Sequence, residues 1–180
     1  AIRTILTYED YAALPADGRR YELHEGELSV TPAPSPRPQQ VVRNLCLLLH
    51  AHVQDHRSGE VLFAPIDCIL SDTSIVQPDL VYLNAARSTS ISGRGIEGLP
   101  TLMIEVLSPA TRSVDRGAKA QLYARYGVPY YWIVDPDLRT IDAYELVDGR
   151  YRLAGRVEGD SRTSLAPFSD LTLAPDSIWP

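Results

Sequence analysis

The sequence predicts a mixed α/β fold in a single domain, residues 1–180, and three observations lead to this expectation. The chain has 180 residues, which is long enough for one domain with a sizeable core. Its hydrophobic residues, 44% of the total, are spread too evenly for a disordered chain. Short apolar runs of strand length alternate with two stretches of helical period, and this order favours strands and helices around one core.

Composition excludes several classes of protein. The net charge of -6 argues against non-specific coating of nucleic acid, although it leaves room for a local basic groove. The longest uncharged apolar runs, such as residues 45–49, are far shorter than the ~18–20 residues of a membrane helix. Only Cys46 and Cys68 are present, so a disulfide framework is not expected. We therefore expect a cytoplasmic protein without a secretory signal or a membrane span.

The first third of the chain is predicted to hold two helices and a hairpin. Thr7 and the acidic residues after it indicate the start of a short helix that ends near Pro15. Apolar residues on both sides of a Glu-Gly pair predict a hairpin over residues 20–30. Four prolines predict a loop over residues 31–38, and apolar residues at helical spacing predict a long helix over residues 41–57.

The rest of the chain is dominated by strands. Residues 113–126 predict a helix with Gly127 as its C′ residue, residues 84–100 predict a loop or short insertion, and the tail after Gly159 has no clear pattern. Strands are predicted at residues 61–64, 66–70, 75–83, 102–107 and 130–134, with a hairpin that pairs 140–146 with 151–153.

Two carboxylates fall at apolar strands. Glu105 is the only polar side chain in residues 102–107, and Asp79 follows Pro78 just before the apolar residues 80–83. A lone ionised carboxylate in a buried strand costs several kcal/mol unless it is paired, hydrogen-bonded or bound to a metal. If the two strands are neighbours, both carboxylates meet at one end of the sheet. Two carboxylates with waters are a usual ligand set for Mg²⁺.

Lys119 is the only lysine among the 17 basic residues. Asp115, Lys119, Leu122 and Tyr126 follow the spacing i, i+4, i+7, i+11 and share one stripe of the predicted helix, which its apolar members mark as the core side. A lysine that points inward needs a nearby anion. The two strand carboxylates, or a phosphate bound near them, would provide it.

Each of these residues also has a simpler structural interpretation. Glu105 would then lie at a sheet edge and pair with an arginine. Asp79 would bond its own backbone where the strand begins. Lys119 would form a surface pair with Asp115 worth ~0.3–0.5 kcal/mol. One shared site explains all three positions together.

Other groups of residues that could bind a metal or a phosphate, or supply a nucleophile, give weaker indications of function. His52 and His56 are four residues apart on the long helix, and so are Cys46 and His50. Zinc normally needs three or four ligands, and the sequence shows no matching set elsewhere, so solvated histidines are expected. The sequence has neither a glycine-rich phosphate loop nor a Gly-x-Ser-x-Gly elbow.

An ordered series of motifs runs along the chain. The motifs are Tyr21-Glu22-Leu23 with Gly26-Glu27-Leu28, Gln77-Pro78-Asp79-Leu80, Glu105-Val106-Leu107-Ser108-Pro109, Asp115 with Lys119 and Tyr123, and Gly127-Val128 with Tyr131-Trp132-Ile133-Val134-Asp135-Pro136. This series resembles the PD-(D/E)XK nuclease superfamily and, more closely, the family known as Uma-type putative restriction endonucleases. The resemblance covers about residues 7–146 and leaves residues 147–180 as a C-terminal extension.

The resemblance implies a restriction-endonuclease-like fold, in which helices flank a central mixed sheet and a hairpin precedes it. It also implies a divalent metal, Mg²⁺ or Mn²⁺, bound by Asp79 and Glu105. Glu22 would be a further acidic member of the site, or else an exposed hairpin residue, since it alternates with apolar neighbours. The family's Glu-x-Lys lysine falls at Leu107, so Lys119 would take its place, with Tyr123 four residues later as an auxiliary residue.

The activity implied by the resemblance is metal-dependent hydrolysis of DNA by a homodimeric endonuclease. Arg112, Arg116 and Arg125 lie on or beside the predicted helix, and either contact the DNA backbone or form a solvated face.

Two departures from the family pattern keep other functions open. Relatives carry a histidine where this chain has Pro38 or Gln39, and a glutamate where it has Tyr130. Neither falls on the carboxylates themselves. A catalytically weak or inactive module that binds nucleic acid or a protein partner is the second interpretation, and a hydrolase of another phosphodiester is the third.

Overall fold

Two mixed β-sheets form the framework of the protein. The computed structural model describes residues 4–32 and 35–180. The strands are β1 (Arg20–His24), β2 (Glu27–Thr31), β3 (Gly59–Phe63), β4 (Cys68–Ser71), β5 (Ser74–Val76), β6 (Leu80–Asn84), β7 (Ile91–Ser92), β8 (Gly95–Glu97), β9 (Leu102–Val106), β10 (Tyr130–Asp135), β11 (Thr140–Val147), β12 (Arg150–Glu158), β13 (Thr163–Leu165) and β14 (Phe168–Leu173). An N-terminal sheet has the order β2-β1-β5-β4-β8-β7, a central sheet has the order β12-β11-β10-β9-β6-β3, and β13 pairs with β14.

The helices lie between and beside these strands. Helices α3 and α4 are joined by a π-helical turn, Asp115–Lys119, so that residues 112–126 form one helical segment. Gly127 follows it with φ 86°, the left-handed C′ position that the sequence predicts. The helices are α1 (Tyr8–Ala12), α2 (Pro36–His56), α3 (Arg112–Val114), α4 (Ala120–Tyr126) and α5 (Pro175–Ile178). In the part of the chain that the structure describes, no helix combines the length and the apolar character needed to cross a membrane.

Helix α2 begins earlier than the sequence predicts. Ser35 is its N-cap residue and Pro36 its first helical residue, so the loop prediction for residues 31–38 is wrong at its C-terminal end. Proline is tolerated in the first helical turn because the N–H that it lacks has no partner there. Residues 33 and 34 lie outside the described part of the chain.

The two faces of the central sheet carry different partners. Along β9, Leu102, Ile104 and Val106 pack with the buried stripe of α2. Met103 points to the opposite face and packs among residues of the helical segment and the N-terminal sheet. Because side chains alternate along a strand, Glu105 lies on the same face as Met103. The register of the strand therefore turns this carboxylate towards the helical segment.

The run predicted as one strand over residues 75–83 is divided between the two sheets. Its first part is β5, which pairs with β1 and β4, and its second part is β6, which pairs with β3 and β9. Gln77, Pro78 and Asp79 connect them. Pro78 cannot donate to a ladder, so it favours a break at this point. Asp79 consequently lies where the chain passes from one sheet to the other.

The least patterned segments also form structure. Residues 84–100, expected as a loop or irregular insertion, contain the short strands β7 and β8. The tail after Gly159 forms β13, β14 and α5, and its apolar residues Phe168, Leu173 and Trp179 join the core on the α2 face of the central sheet. Elements of three to six residues are too short to produce a clear hydrophobic period.

Candidate active site

Asp79 and Glu105 face each other across neighbouring strands. Strand β6 pairs with β9 in an antiparallel register that sets Leu80 opposite Ile104. Continued by one residue, this register sets Asp79 opposite Glu105, on the same face of the central sheet. Strand β9 is an inner strand between β6 and β10, so the interpretation of Glu105 as an edge residue is wrong.

Glu105 is a buried carboxylate that accepts hydrogen bonds from two side chains. Its Oε1 atom accepts hydrogen bonds from Lys119 Nζ at 3.0 Å and from the Tyr123 hydroxyl at 2.7 Å. Burial, and the nearby carboxylates Asp115 and Asp79, raise the pKa of Glu105 well above its usual range, while Lys119 opposes that shift. The side chain is therefore held in place and depends on nearby positive charge to stay ionised.

Lys119 lies among three carboxylates. Its Nζ atom is 3.0 Å from Glu105 Oε1, 3.1 Å from Glu22 Oε1 and 3.7 Å from Asp115 Oδ1. Only 4% of the residue is exposed, so the interpretation as a surface pair with Asp115 is wrong. Burial acts to lower the pKa of Lys119, but the three carboxylates outweigh it and raise the pKa above its ordinary value. The three carboxylates therefore favour the charged ammonium form of the side chain.

Glu22 brings the N-terminal sheet into the same group. It is 1% exposed, so the alternative of an exposed hairpin residue is wrong. Its Oε1 atom also accepts a hydrogen bond from the backbone N–H of Gln77 at 2.6 Å, and its Oε2 atom is 3.3 Å from His24 Nε2. Burial acts to raise the pKa of Glu22, but Lys119 and these hydrogen-bond partners lower it to about 2.

Asp79 is held by the neighbouring strand and by an arginine. Its Oδ2 atom accepts a hydrogen bond from the backbone N–H of Val106 at 2.9 Å, and its Oδ1 atom is 3.4 Å from Arg20 Nη1. The interpretation that Asp79 bonds its own backbone is not what the structure shows. Its contact with β9 instead ties the carboxylate to the strand that carries Glu105.

These side chains line a narrow cavity, here called the active-site pocket. Its volume of ≈ 20 Å³ is enough for about one water molecule or ion. An adjoining cavity of ≈ 50 Å³ is lined by Glu22, Asp115 and Lys119. The lining of the active-site pocket includes Arg20, Pro38, Gln39, Asp79, Glu105, Ser108, Thr111, Asp115 and Lys119.

The charges of this group suit a divalent cation. Glu22, Glu105, Asp115 and Asp79 carry four formal negative charges, and Lys119 and Arg20 carry two positive charges, which leaves a formal charge of -2. Carboxylate oxygens are the ligands that Mg²⁺ and Mn²⁺ prefer, and both Asp79 and Glu105 line the pocket. The residues present therefore fit the metal that the sequence analysis expects.

The three helix arginines already have carboxylate partners. Arg112 contacts Asp135 and Asp137, and Arg116 contacts Asp135 and Asp142. Arg125 forms an ion pair with Glu25 at the hairpin turn. None of the three lines the active-site pocket. Contact with a nucleic-acid backbone would therefore share these arginines with their carboxylate partners.

The two departures from the family pattern fall in different places. Pro38 and Gln39 line the active-site pocket beside Asp79 and Glu105, so the missing histidine concerns the site itself. Tyr130 begins β10 opposite Leu102 and packs at the margin of the core on the α2 face. Only the first departure therefore bears directly on chemistry at the carboxylates.

Sequence reasoning missed several contributors. Arg20 contacts Asp79 and also the carbonyl oxygen of Gln77, at 2.5 Å, yet nothing distinguishes it from the other arginines in the sequence. Gln77 belongs to the Gln-Pro-Asp motif, and its backbone N–H binds Glu22. The Gln-Pro-Asp motif marks Gln77 in the sequence, but it does not predict that the Gln77 N–H contacts Glu22 of β1.

The fold and this site define a class: a mixed α/β protein of the restriction-endonuclease-like kind, with carboxylates and a lysine at one end of its central sheet. Over residues 8–176 the chain matches the model of the Uma2 family, described as "Putative restriction endonuclease", and it belongs to that family. The match runs into the tail, so residues 147–176 are part of the family region. No curated protein matches the chain at a significant level.

A solved structure supports the fold. The chain is similar to a protein described as a putative nuclease belonging to DUF820 from Anabaena variabilis, with a TM-score of 0.78. The alignment covers 97% of each chain at 18% sequence identity. This likeness confirms the predicted fold class, a central mixed sheet flanked by helices with an N-terminal hairpin.

Proposed function

We propose that the protein is a divalent-metal-dependent DNA endonuclease that hydrolyses phosphodiester bonds. The observation that carries this proposal is the meeting of Asp79, Glu105 and Lys119, from three separate elements, at one pocket with an excess of negative charge. Membership of a family described as "Putative restriction endonuclease" and the likeness to a protein described as a putative nuclease support it.

The proposal assigns a role to each side chain. Asp79 and Glu105 would hold Mg²⁺ or Mn²⁺, which when bound polarises a phosphate oxygen and lowers the pKa of a coordinated water. Lys119, whose ammonium form the surrounding carboxylates favour, would donate a hydrogen bond and place a positive charge beside the phosphorus. The Tyr123 hydroxyl orients Glu105, and Glu22 holds the ammonium in position.

The proposal extends to assembly and location. A closed two-fold homodimer would present two sites to the two strands of a duplex. A reducing cytoplasm suits the chain, because Cys46 and Cys68 are both free thiols.

Cleavage of supercoiled plasmid and of single-stranded DNA tests the function. With Mg²⁺ or Mn²⁺ the wild type should nick the plasmid, and EDTA should stop it. Asp79→Asn and Glu105→Gln should each lower the rate by at least ~100-fold, because each removes one metal-binding charge. Glu105→Gln keeps the shape of the side chain and an acceptor for Tyr123, so it is expected to fold.

Asp148→Asn is the matched control, because Asp148 lies in the exposed turn between β11 and β12 and should leave the rate unchanged. Thermal unfolding supplies a second measurement: Mg²⁺ should raise the melting temperature of the wild type and not that of Asp79→Asn. A wild type that neither cleaves DNA nor responds to Mg²⁺ would contradict the proposal.

That negative outcome would favour the inactive binding module, for which Pro38 and Gln39 in the pocket are the supporting observation. Cleavage of nucleotide phosphodiesters in place of DNA would favour the third interpretation.

A further inference from the structure

A second group of metal-ligating side chains lies away from the active-site pocket. His52 and His56 stand one turn apart near the end of α2, and Asp170 belongs to β14. One nitrogen from each histidine and one oxygen from the aspartate lie within 4.8 Å of one another. None of the three residues lines the active-site pocket. The sequence shows the histidine pair, and the fold supplies the third ligand from the tail.

Both imidazole rings point at the same carboxylate. His52 Nε2 is 3.3 Å from Asp170 Oδ1, and His56 Nε2 is 3.3 Å from Asp170 Oδ2. A tetrahedral zinc site with metal–ligand bonds of ~2.0–2.1 Å has ligand atoms ~3.3 Å apart. Each of these histidine nitrogens is thus already separated from an oxygen of Asp170 by about the distance that a shared metal ion imposes.

The second nitrogen of His56 fixes the state of its ring. His56 Nδ1 is 2.8 Å from the carbonyl oxygen of His52, which can only accept, so Nδ1 carries the hydrogen. In a neutral ring Nε2 then presents a lone pair to a carboxylate oxygen, and either a proton on Nε2 or a metal ion between the two acceptors satisfies the contact. Metal-binding histidines commonly have this arrangement, with the outer ring nitrogen donating to a backbone carbonyl.

We propose that His52, His56 and Asp170 form a binding site for a transition-metal dication, represented by Zn²⁺. Two imidazoles and one carboxylate are a ligand set for Zn²⁺ and not for Mg²⁺, which prefers oxygen ligands. The side chains of His56 and Asp170 are 51% and 59% exposed, so water can complete the coordination. His52 is mostly buried and packs edge-on against Phe168.

The site joins two parts of the fold that are distant in sequence. Helix α2 packs on the central sheet, and Phe168 of β14 packs on the same face beside Tyr82 and Trp132. A metal bound by both elements holds the tail hairpin against the helix. The metal is therefore expected to raise thermal stability, independently of any catalytic metal.

Metal titration tests the site in the full-length protein, stripped with EDTA, freed of the chelator and kept in excess Mg²⁺ to occupy carboxylate sites. Zn²⁺ should bind with one-to-one stoichiometry in calorimetry and raise the melting temperature. Co²⁺ used as a probe should give visible absorption bands of tetrahedral or five-coordinate geometry. His56→Gln and Asp170→Asn should each weaken Zn²⁺ binding by at least ~10-fold.

His50→Gln is the matched control, because His50 is an exposed histidine on the same helix outside the group. It should bind Zn²⁺ as the wild type does. Both test variants replace half-exposed side chains, and their melting temperatures without metal show whether they fold. Equal Zn²⁺ affinity in wild type and His56→Gln, or no Co²⁺ spectrum at millimolar metal, would overturn the proposal and leave a histidine–carboxylate ion pair only.

Discussion

At the scale of single residues, Asp135 shows how a buried charge is stabilised outside the active-site pocket. Its side chain is 0% exposed and accepts hydrogen bonds from Arg112 and from the backbone N–H groups of Asp137 and Leu138. Burial acts to raise the pKa of Asp135, but these donors outweigh it and hold the pKa below its ordinary value. The ionised form is thus the one that the fold binds.

The variant Asp135→Asn should lower the free energy of unfolding by about 1.5–3 kcal/mol at pH 7, because it weakens hydrogen bonds to a charged group. The folded-state pKa lies below the unfolded value, so this contribution is complete above about pH 5 and is lost as the pH falls through the folded pKa. The difference from wild type should stay constant between about pH 7 and pH 5 and shrink below about pH 4 in urea denaturation. Asp137→Asn, at a 55% exposed side chain, should change little.

The site residues that the sequence predicts are charged residues in apolar surroundings. Asp79 and Glu105 stand in apolar strands, and Lys119 is a lone lysine on a core-facing stripe, so each required a compensating partner. The sequence leaves two alternatives for Glu22 because alternation along β1 suggests a solvent face, whereas Lys119 and the backbone of Gln77 in fact pack against it. Arg20 and Asp170 carried no local signal, since their partners come from distant segments.

At the scale of elements, Gly59 controls how β3 joins the central sheet. It has φ 147°, and it pairs with Asn84 at the start of the strand. A Cβ atom here would overlap the carbonyl oxygen of Leu83 and crowd the backbone of Asn84. The position therefore requires glycine both for its backbone angle and for the close approach of β6.

The variant Gly59→Ala should lose about 2–4 kcal/mol of stability, because it adds backbone strain to a steric overlap that only movement of β6 can relieve. Chemical denaturation measures the loss. Gly93→Ala is the control, since its Cβ would have no atom within 4 Å, and it should stay within about 0.5 kcal/mol of wild type. Equal stability of the two variants would contradict this account of β3.

The sequence predicts well the elements that carry a strong hydrophobic pattern, and it predicts poorly the elements that lack one. The stripe of α2 and the apolar runs of β9 and β10 carry strong patterns because whole faces are buried. The division of residues 75–83 into β5 and β6 is set by which strands they join, and the sequence does not contain that information locally. The tail elements likewise depend on the α2 face that they cover.

At the scale of the whole molecule, the proposed homodimer predicts the molecular mass that the protein should have in solution. Sedimentation or light scattering at the concentration used for DNA cleavage should give twice the 19.9 kDa of the chain. Duplex DNA should then show paired cuts, because the two copies act on opposite strands. A particle of 19.9 kDa that makes only single nicks would contradict the dimer and leave the single-site nuclease intact.

The residues that form and surround the active-site pocket are far apart in the sequence, which has a consequence for folding during protein synthesis. Glu22 and Asp79 leave the ribosome early, but the ammonium of Lys119 and the hydroxyl of Tyr123 follow only with the helical segment, residues 112–126. A nascent chain or a fragment that ends before Arg112 has Glu22, Asp79 and Glu105 without the ammonium of Lys119. The pocket is therefore complete only after residues 112–126 have been translated and have docked onto both sheets, and the proposed DNA cleavage cannot begin before that stage of folding.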